Sequence, residues 1–377
     1  MKINTKCVHS GTYVDPITKG LNSPIFTSSV YQYLESNERP YPRYFNIPNQ
    51  RAVVTKLADL EQCEDGVLFS SGMAAISTTL LAFLKSGDHA VIQDAIYGGA
   101  HAFVTDILSS HGIDFTFAGA DAESIIGCIN PKTKMVYIES PTNPLLQIID
   151  IQKVADACAS KGIPTAIDNT FASPINQMPA KLGIDILIHS GTKYLGGHSD
   201  LSCGAALASK KNIATIAKTA IGLGGCLDAQ SCYLLERSLK TLALRVNRQT
   251  ENAAIIAQFL SKHPRVQKVH YPGLPDFEGY QIARGQMSGF GAMLSFEIKD
   301  YTGPAADFMK KLRLVNAALS LGGVETTICD PATTSHRTVS KEIRKRLGIS
   351  DGLLRLSVGI EDSEDLIEDL SNALSFL

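Results

Sequence analysis

From residue 51 onward the apolar positions of the chain fall into two alternating patterns. Residues 51–61 place Val53, Val54, Leu57, Ala58 and Leu60 at helical spacing, the stripe of an amphipathic helix. Short apolar runs then recur at 67–69, 90–92, 115–117, 135–138, 165–167, 186–188 and 205–208, each closed by polar or turn residues. Helical patterns lie between several of them, at 73–84, 99–110 and 151–160. This alternation predicts an α/β fold, a mainly parallel sheet with helices on both faces. A long helical stretch follows at 228–260 with room for one break. Beyond it the pattern becomes α+β, with a strand at 292–298, a helix at 305–312, a strand at 353–358 and a last helix near 363–376.

Three segments result: an N-terminal arm at 1–50, an α/β domain at 51–237 and a smaller α+β domain at 238–377, with the boundary inside the long helix. In the arm, Pro16, Gly20, Pro24, Pro40, Pro42 and Pro48 forbid long regular elements. Tyr31, Tyr33, Tyr41, Tyr44 and Phe45 crowd the same stretch, so the arm is expected to lie on its own body or on a partner subunit.

Composition narrows the function. The 377 residues are 44% hydrophobic and 19% charged, which excludes a disordered chain. A net charge of −2 lacks the basic excess of a nucleic-acid binder. The greasiest stretch, 74–84, is interrupted by Ser77, Thr78 and Thr79 and falls short of the roughly 18 apolar residues of a membrane span. Residues 1–6 show no apolar core of a secretory signal. The eight cysteines form no Cys-x-x-Cys pair and the nine histidines no ligand spacing, so neither a metal site nor a disulfide framework is expected. Reduced cysteines and a cytoplasmic location are the expectation.

In parallel sheets ligands gather where strands end. After 67–69 comes Ser70-Ser71-Gly72-Met73, opening a helix whose first amides could seat a phosphate, although a serine cap explains the same residues. After 186–188 come Ser190, Thr192 and Lys193, two hydroxyls and an amine beside one cleft. After 165–167 comes Asp168, which could equally cap a helix. An acid and a lysine at one sheet edge, beside a phosphate seat, match what pyridoxal phosphate needs: an amine for its aldehyde and a carboxylate for its ring nitrogen. The order of residues around Lys193 is wrong for a nucleotide phosphate loop, and Gly222-Leu-Gly224-Gly225 follows no strand and lacks dinucleotide spacing.

Ser190-Gly-Thr-Lys193-Tyr-Leu-Gly-Gly-His198-Ser-Asp200 resembles the cofactor signature of the Cys/Met-metabolism pyridoxal-phosphate enzymes, the trans-sulfuration family. The resemblance runs along nearly the whole chain, through Tyr41-Pro-Arg43, Ser71-Gly72-Met73, Asp94-Ala-Ile-Tyr97-Gly98-Gly99, Glu139-Ser-Pro-Thr-Asn143-Pro144, Asp168-Asn-Thr, Ser320-Leu-Gly-Gly-Val-Glu325 and Leu354-Arg355-Leu-Ser-Val-Gly-Ile-Glu361-Asp362. It implies a fold-type I enzyme, a homotetramer of active dimers, that cleaves carbon–sulfur bonds in cystathionine or a related amino acid. A γ-synthase acting on O-acyl-homoserine is the alternative.

By the same resemblance Lys193 is the Schiff-base lysine and proton shuttle, Asp168 the partner of the ring nitrogen, and Tyr97 the stacking residue and a second base. Gly72, Met73, Ser190 and Thr192 hold the phosphate, and Tyr41 and Arg43 reach the phosphate of the neighbouring subunit. Arg355 clamps the substrate carboxylate with help from Asn143 and the segment from Ser320 to Glu325.

The sequence departs from the family pattern at Ile47, which reads as an insertion in the arm, and at Pro40, where an acidic residue is common. It departs again at Gly99, where methionine γ-lyases often carry cysteine, and in Asp330-Pro-Ala-Thr-Thr-Ser-His336. A pyridoxal-phosphate-binding protein without turnover is the rival from another class. Lys193, Tyr97 and Arg355 are all present, and no basic segment remains for a DNA-binding module.

Overall fold

A computed structural model of the chain describes residues 1–34, 39–301, 303–334 and 341–376; the distal residues of the 330–336 motif, Ser335 and His336, lie outside them. The seven predicted apolar runs are strands β1 (Asp65–Phe69), β2 (His89–Gln93), β3 (Asp114–Ala118), β4 (Thr133–Glu139), β5 (Thr165–Asp168), β6 (Ile186–Ser190) and β7 (Gly204–Ala208). They form one sheet in the order β1-β7-β6-β5-β4-β2-β3. From β6 to β3 all pairs are parallel, whereas β7 runs antiparallel to both β6 and β1.

Successive residues of these strands enter different cores. Val67, Ala90, Ile92, Met135, Tyr137, Ala166, Ile186 and Ile188 face one side with Ile76, Leu80, Ile213 and Ile216. Leu68, Val91, Val136, Ile138, Ile167 and Leu187 face the other with Val53, Leu57, Val154 and Leu242. Burial on both faces is why the runs are apolar throughout rather than alternating.

The long helical stretch is two helices, Ala229–Leu239 and Leu242–Lys262, with the single break at Lys240 and Thr241. After it β8 (Val266–His270), β9 (Met293–Ile298), β10 (Asn316–Ala317), β11 (Thr327–Cys329) and β12 (Leu353–Ser357) form a second sheet in the order β10-β11-β12-β9-β8. The pattern at 305–312 is helical only over Ala305–Met309. Asp369 accepts the amides of Arg313, Leu314 and Val315 at 2.8, 2.9 and 2.9 Å, and these bonds hold the following turn in a non-helical path. The helix read at 99–110 starts as Gly98–Ala102 and widens into π turns over Phe103–Leu108. A short helix at Ile3–His9 precedes the first proline of the arm, whose other described residues are irregular up to Pro42–Tyr44.

The parallel strands place Gln93, Glu139, Asp168 and Ser190 at one edge of the first sheet. Arg355 comes to the same region from β12 in the second sheet, because its guanidinium meets Asn143, four residues beyond β4.

Candidate active site

Lys193 lies just past β6. Its Nζ donates to Ser320 Oγ at 2.6 Å, and its backbone amide donates to Ser190 O at 3.1 Å. Burial draws the ammonium down to about 8, and the neighbouring Arg355 charge pushes the same way, against a smaller pull from Asp168. An amine poised near neutrality is nucleophilic at working pH. Ser320 itself has φ +80°, a left-handed backbone that costs a residue with a side chain about 1 kcal/mol or more. The cost recurs where function needs it, since Ser320 O also accepts from Arg355 Nη2 at 3.2 Å.

Asp168 ends β5 and is 6% exposed. It caps no helix: its Oδ1 accepts the Thr170 amide at 2.9 Å, and Thr170 Oγ1 accepts the Ser190 amide at 2.8 Å, which ties β5 to β6. Burial lifts the carboxyl above its usual range, while the Thr170 bonds and the charges of His189 and Lys193 oppose the lift. A dry carboxylate of this kind is short of a cation, and a protonated ring nitrogen would supply one.

Gly72 starts the helix Gly72–Phe83, whose cap is Ser71, accepting from the Ala74 amide. The amides of Gly72 and Met73 belong to the first turn, where no intrahelical acceptor exists. A Cβ at position 72 would stand 2.7 Å from Ser190 Cβ, so only glycine lets this helix end close on the β6 terminus. The result is a cradle of amides and the Ser190 hydroxyl, with the partial positive charge that an anion takes. Thr192 follows two residues after Ser190. Its hydroxyl donates to Cys203 O at 3.2 Å and accepts the Cys203 amide at 3.0 Å.

Arg355 is 4% exposed. Its Nη1 donates to Asn143 Oδ1 at 2.9 Å, and its Nε is buried without a partner. A fixed guanidinium with a spare donor can take a carboxylate. Tyr97, at 45% exposed, follows β2 and presents its ring over Gly99, where an added Cβ would lie 2.6 Å from a Tyr97 ring carbon. Glu325 is exposed and receives a 3.4 Å bond from Ser199.

Within one chain, then, Lys193, Asp168, Ser190, Gly72, Arg355, Asn143 and Ser320 are linked by direct bonds, contacts or local charge. Tyr41 and Arg43 join none of these through the hydrogen bonds of the described residues. Arg43 donates to Ile221 O at 2.8 Å, and its guanidinium lies over the Tyr41 and Tyr44 rings. Among the described residues no cluster of histidine, cysteine and acidic side chains could hold a metal ion, and no helix is long and apolar enough to cross a membrane.

Sequence reasoning missed the support behind Asp168. His189 Nε2 bonds Glu61 Oε1 at 2.5 Å, with both side chains buried, and Asn169 Nδ2 donates to the same oxygen at 2.9 Å. No local pattern links positions 61 and 189. Glu61→Ala leaves His189 without its carboxylate and Asn169 with Gln177 O alone, and we expect it to lower the folding stability by about 3 kcal/mol, measured as the shift of the denaturation midpoint. An unshifted midpoint would show that the pair contributes nothing net.

The fold and this site define a class: fold-type I enzymes that hold pyridoxal phosphate on a lysine at the edge of a mainly parallel sheet. The comparisons identify the group within that class. The family described as "Cys/Met metabolism PLP-dependent enzyme" matches residues 4–375. The chain is similar to a cystathionine gamma-lyase of Bacillus subtilis, 42% identical over 99% of both chains. It is also similar to a cystathionine beta-lyase of Lactococcus lactis subsp. cremoris, 40% identical over 99% of this chain and 98% of the relative. The crystal structure of cystathionine gamma-lyase from Lactobacillus plantarum complexed with L-serine superposes with a TM-score of 0.96, at 38% identity, covering 100% of this chain and 99% of that one. The chain belongs to the Cys/Met metabolism pyridoxal-phosphate-dependent enzymes. It is a pyridoxal-phosphate-dependent enzyme of sulfur amino acid metabolism, of the carbon–sulfur lyase kind.

Proposed function

We propose that the enzyme eliminates the sulfur substituent of cystathionine, or of a closely related amino acid, at Cβ or Cγ. The observation that carries this reading is that Lys193 Nζ and the Arg355 guanidinium meet on the same residue, Ser320, with Asp168 near enough for its charge to act on Lys193. When bound, pyridoxal phosphate supplies an aldehyde for amines and a cationic ring that accepts carbanion electrons.

In this reading Asp168 faces the ring nitrogen and keeps its charge in place. Gly72, Met73, Ser190 and Thr192 would hold the phosphate, and Tyr97 would lie against the ring. Arg355, oriented by Asn143, grips the substrate carboxylate and fixes which Cα bond faces Lys193. The Lys193 amine would be the base that takes the Cα proton, passing a proton to the departing sulfur in elimination at Cβ and also taking a proton from Cβ in elimination at Cγ. The Tyr97 phenol is the second group able to carry a proton there. Tyr41 and Arg43 serve the phosphate of a neighbouring subunit in a homotetramer, and the protein works in the cytoplasm. The apolar arm side chains Val30, Tyr33 and Leu34, at 83%, 65% and 84% exposed in the single chain, support a partner lying against them.

Gly99 argues against methionine γ-lyase. A cysteine there would drive its Cβ to 2.6 Å from the Tyr97 ring, so the ring would have to leave the position it holds.

The deciding measurement is the keto acid released from L-cystathionine by the purified holoenzyme. We expect one product in stoichiometric yield: pyruvate for elimination at Cβ, or 2-oxobutyrate for elimination at Cγ. Release of neither acid, by protein that still holds pyridoxal phosphate and joins cysteine to an O-acyl-homoserine, would replace the lyase reading with a γ-synthase.

A further inference from the structure

Glu139 ends β4 as the register partner of Asp168 on β5, and it is buried. Its Oε2 accepts the backbone amide of Tyr97 at 2.9 Å, and the Asn143 amide is among the groups that favour its ionised form. The strand behind it is locked by Gln93, whose Oε1 accepts the Glu139 amide at 2.8 Å while its Nε2 reaches Ala95 O at 3.3 Å. Asn143 in turn accepts from Arg355. Two loops that leave different strands, one bearing Tyr97 and the other Asn143, therefore come to one carboxyl, and the Tyr97 loop is tied to it by a hydrogen bond.

We propose that Glu139 is a positioning residue that fixes Tyr97 against the cofactor and, through Asn143, fixes Arg355 on the substrate carboxylate. The inference rests on the functional reading above.

The chemistry of the position supports a role beyond packing. A carboxyl is an expensive choice for a dry strand end, and this one has a second carboxyl, Asp168, as its register neighbour. Burial first, and then the Asp168 charge, push it well above the carboxylate range, with the two amides and Arg355 opposing. An amide side chain would fill the same volume without that penalty, but it presents only one acceptor oxygen. A carboxyl has an oxygen able to accept the Tyr97 amide whichever way it is turned, whereas an amide can turn its donor there instead. The coupling is also directional: Tyr97 faces the ring and Asn143 faces the substrate, so loss of the anchor should appear in cofactor and substrate binding together.

The test uses Glu139→Gln and Glu139→Ala holoenzymes, with three readouts beside turnover: the dissociation constant for pyridoxal phosphate, the visible absorption band of the bound cofactor, and KM set against kcat. We expect each variant to weaken cofactor binding and to raise KM, by on the order of tenfold for Glu139→Ala and less for Glu139→Gln, with a displaced absorption band. In an Asn143→Ala background the rise in KM on adding Glu139→Gln should vanish, while the loss of cofactor affinity should persist. Cofactor affinity, absorption band and KM all equal to wild type, with only the melting temperature lowered, would overturn the proposal. Should Glu139→Ala fail to fold, Glu139→Gln and the Asn143 background decide alone. Wild-type protein that bound no pyridoxal phosphate would sink the underlying reading instead, so the two failures are distinguishable.

Discussion

Replacing Lys193 by alanine is expected to cut turnover by on the order of 10⁴-fold or more, because one amine is asked both to hold the cofactor and to move the proton. Borohydride should no longer fix pyridoxal phosphate to the variant, although the phosphate cradle at Gly72 and Ser190 is untouched and the cofactor should still bind without a covalent link. The argument turns on the environment of Nζ. Burial and Arg355 hold it near 8. At pH 7 a larger share of such an amine is neutral than of an ordinary lysine, so the protein presents a more abundant nucleophile. The sign for wild type follows. A lysine whose ionisation is lowered reacts faster as pH rises, and here the rise should level off just above 8 rather than continue to 10. The rate at which cofactor-free protein takes up pyridoxal phosphate, followed by absorbance across pH 6–10, checks this. Fixation retained at another lysine in Lys193→Ala would reassign the role.

What could be read from the sequence divides along physical lines. Lys193, Asp168 and Ser190 were legible because strand ends at one edge of a parallel sheet are fixed by the chain pattern itself. The strands were legible for the same reason: a run buried on both faces has to be apolar at every position. Arg355 sits mid-strand in an apolar run, where pattern alone reads it as an exposed strand arginine; the family resemblance brought it forward. Its burial against Asn143 is a contact between two sheets that no local signal encodes.

Glu139 left a trace, an acid closing the apolar run 135–138, but its partners are backbone amides, which have no signature in side-chain type. The Glu61–His189 pair was out of reach because the two residues meet only after helix and sheet have packed. The strands β10 and β11, of two and three residues, are too short to carry a period. The pairing of Thr192 with the Cys203 backbone was likewise beyond local pattern, because the two residues meet only through the path of the loop between them.

Truncating Arg355 should act mainly on substrate. Arg355→Ala is expected to lower kcat/KM by about 10³-fold, chiefly through KM, since the carboxylate loses a desolvated, two-pronged partner. Arg355→Lys keeps a positive charge but not the planar fork, and with Asn143 Oδ1 and Ser320 O both relying on that fork it should recover only part of the loss. Steady-state kinetics on the two variants, with cofactor content checked by absorbance, separate a lost clamp from a collapsed site.

A second consequence distinguishes this arginine from a generic binding charge. Its field is one of the two influences that hold Lys193 down, so its removal should let the Lys193 ionisation climb from about 8 toward that of an ordinary lysine. The pH dependence of cofactor uptake in Arg355→Ala should therefore move to higher pH, while Arg355→Lys, which retains the charge, should stay close to wild type. A profile that did not move in Arg355→Ala would mean that burial alone sets the lysine, and that the Arg355 charge acts on substrate and not on the amine.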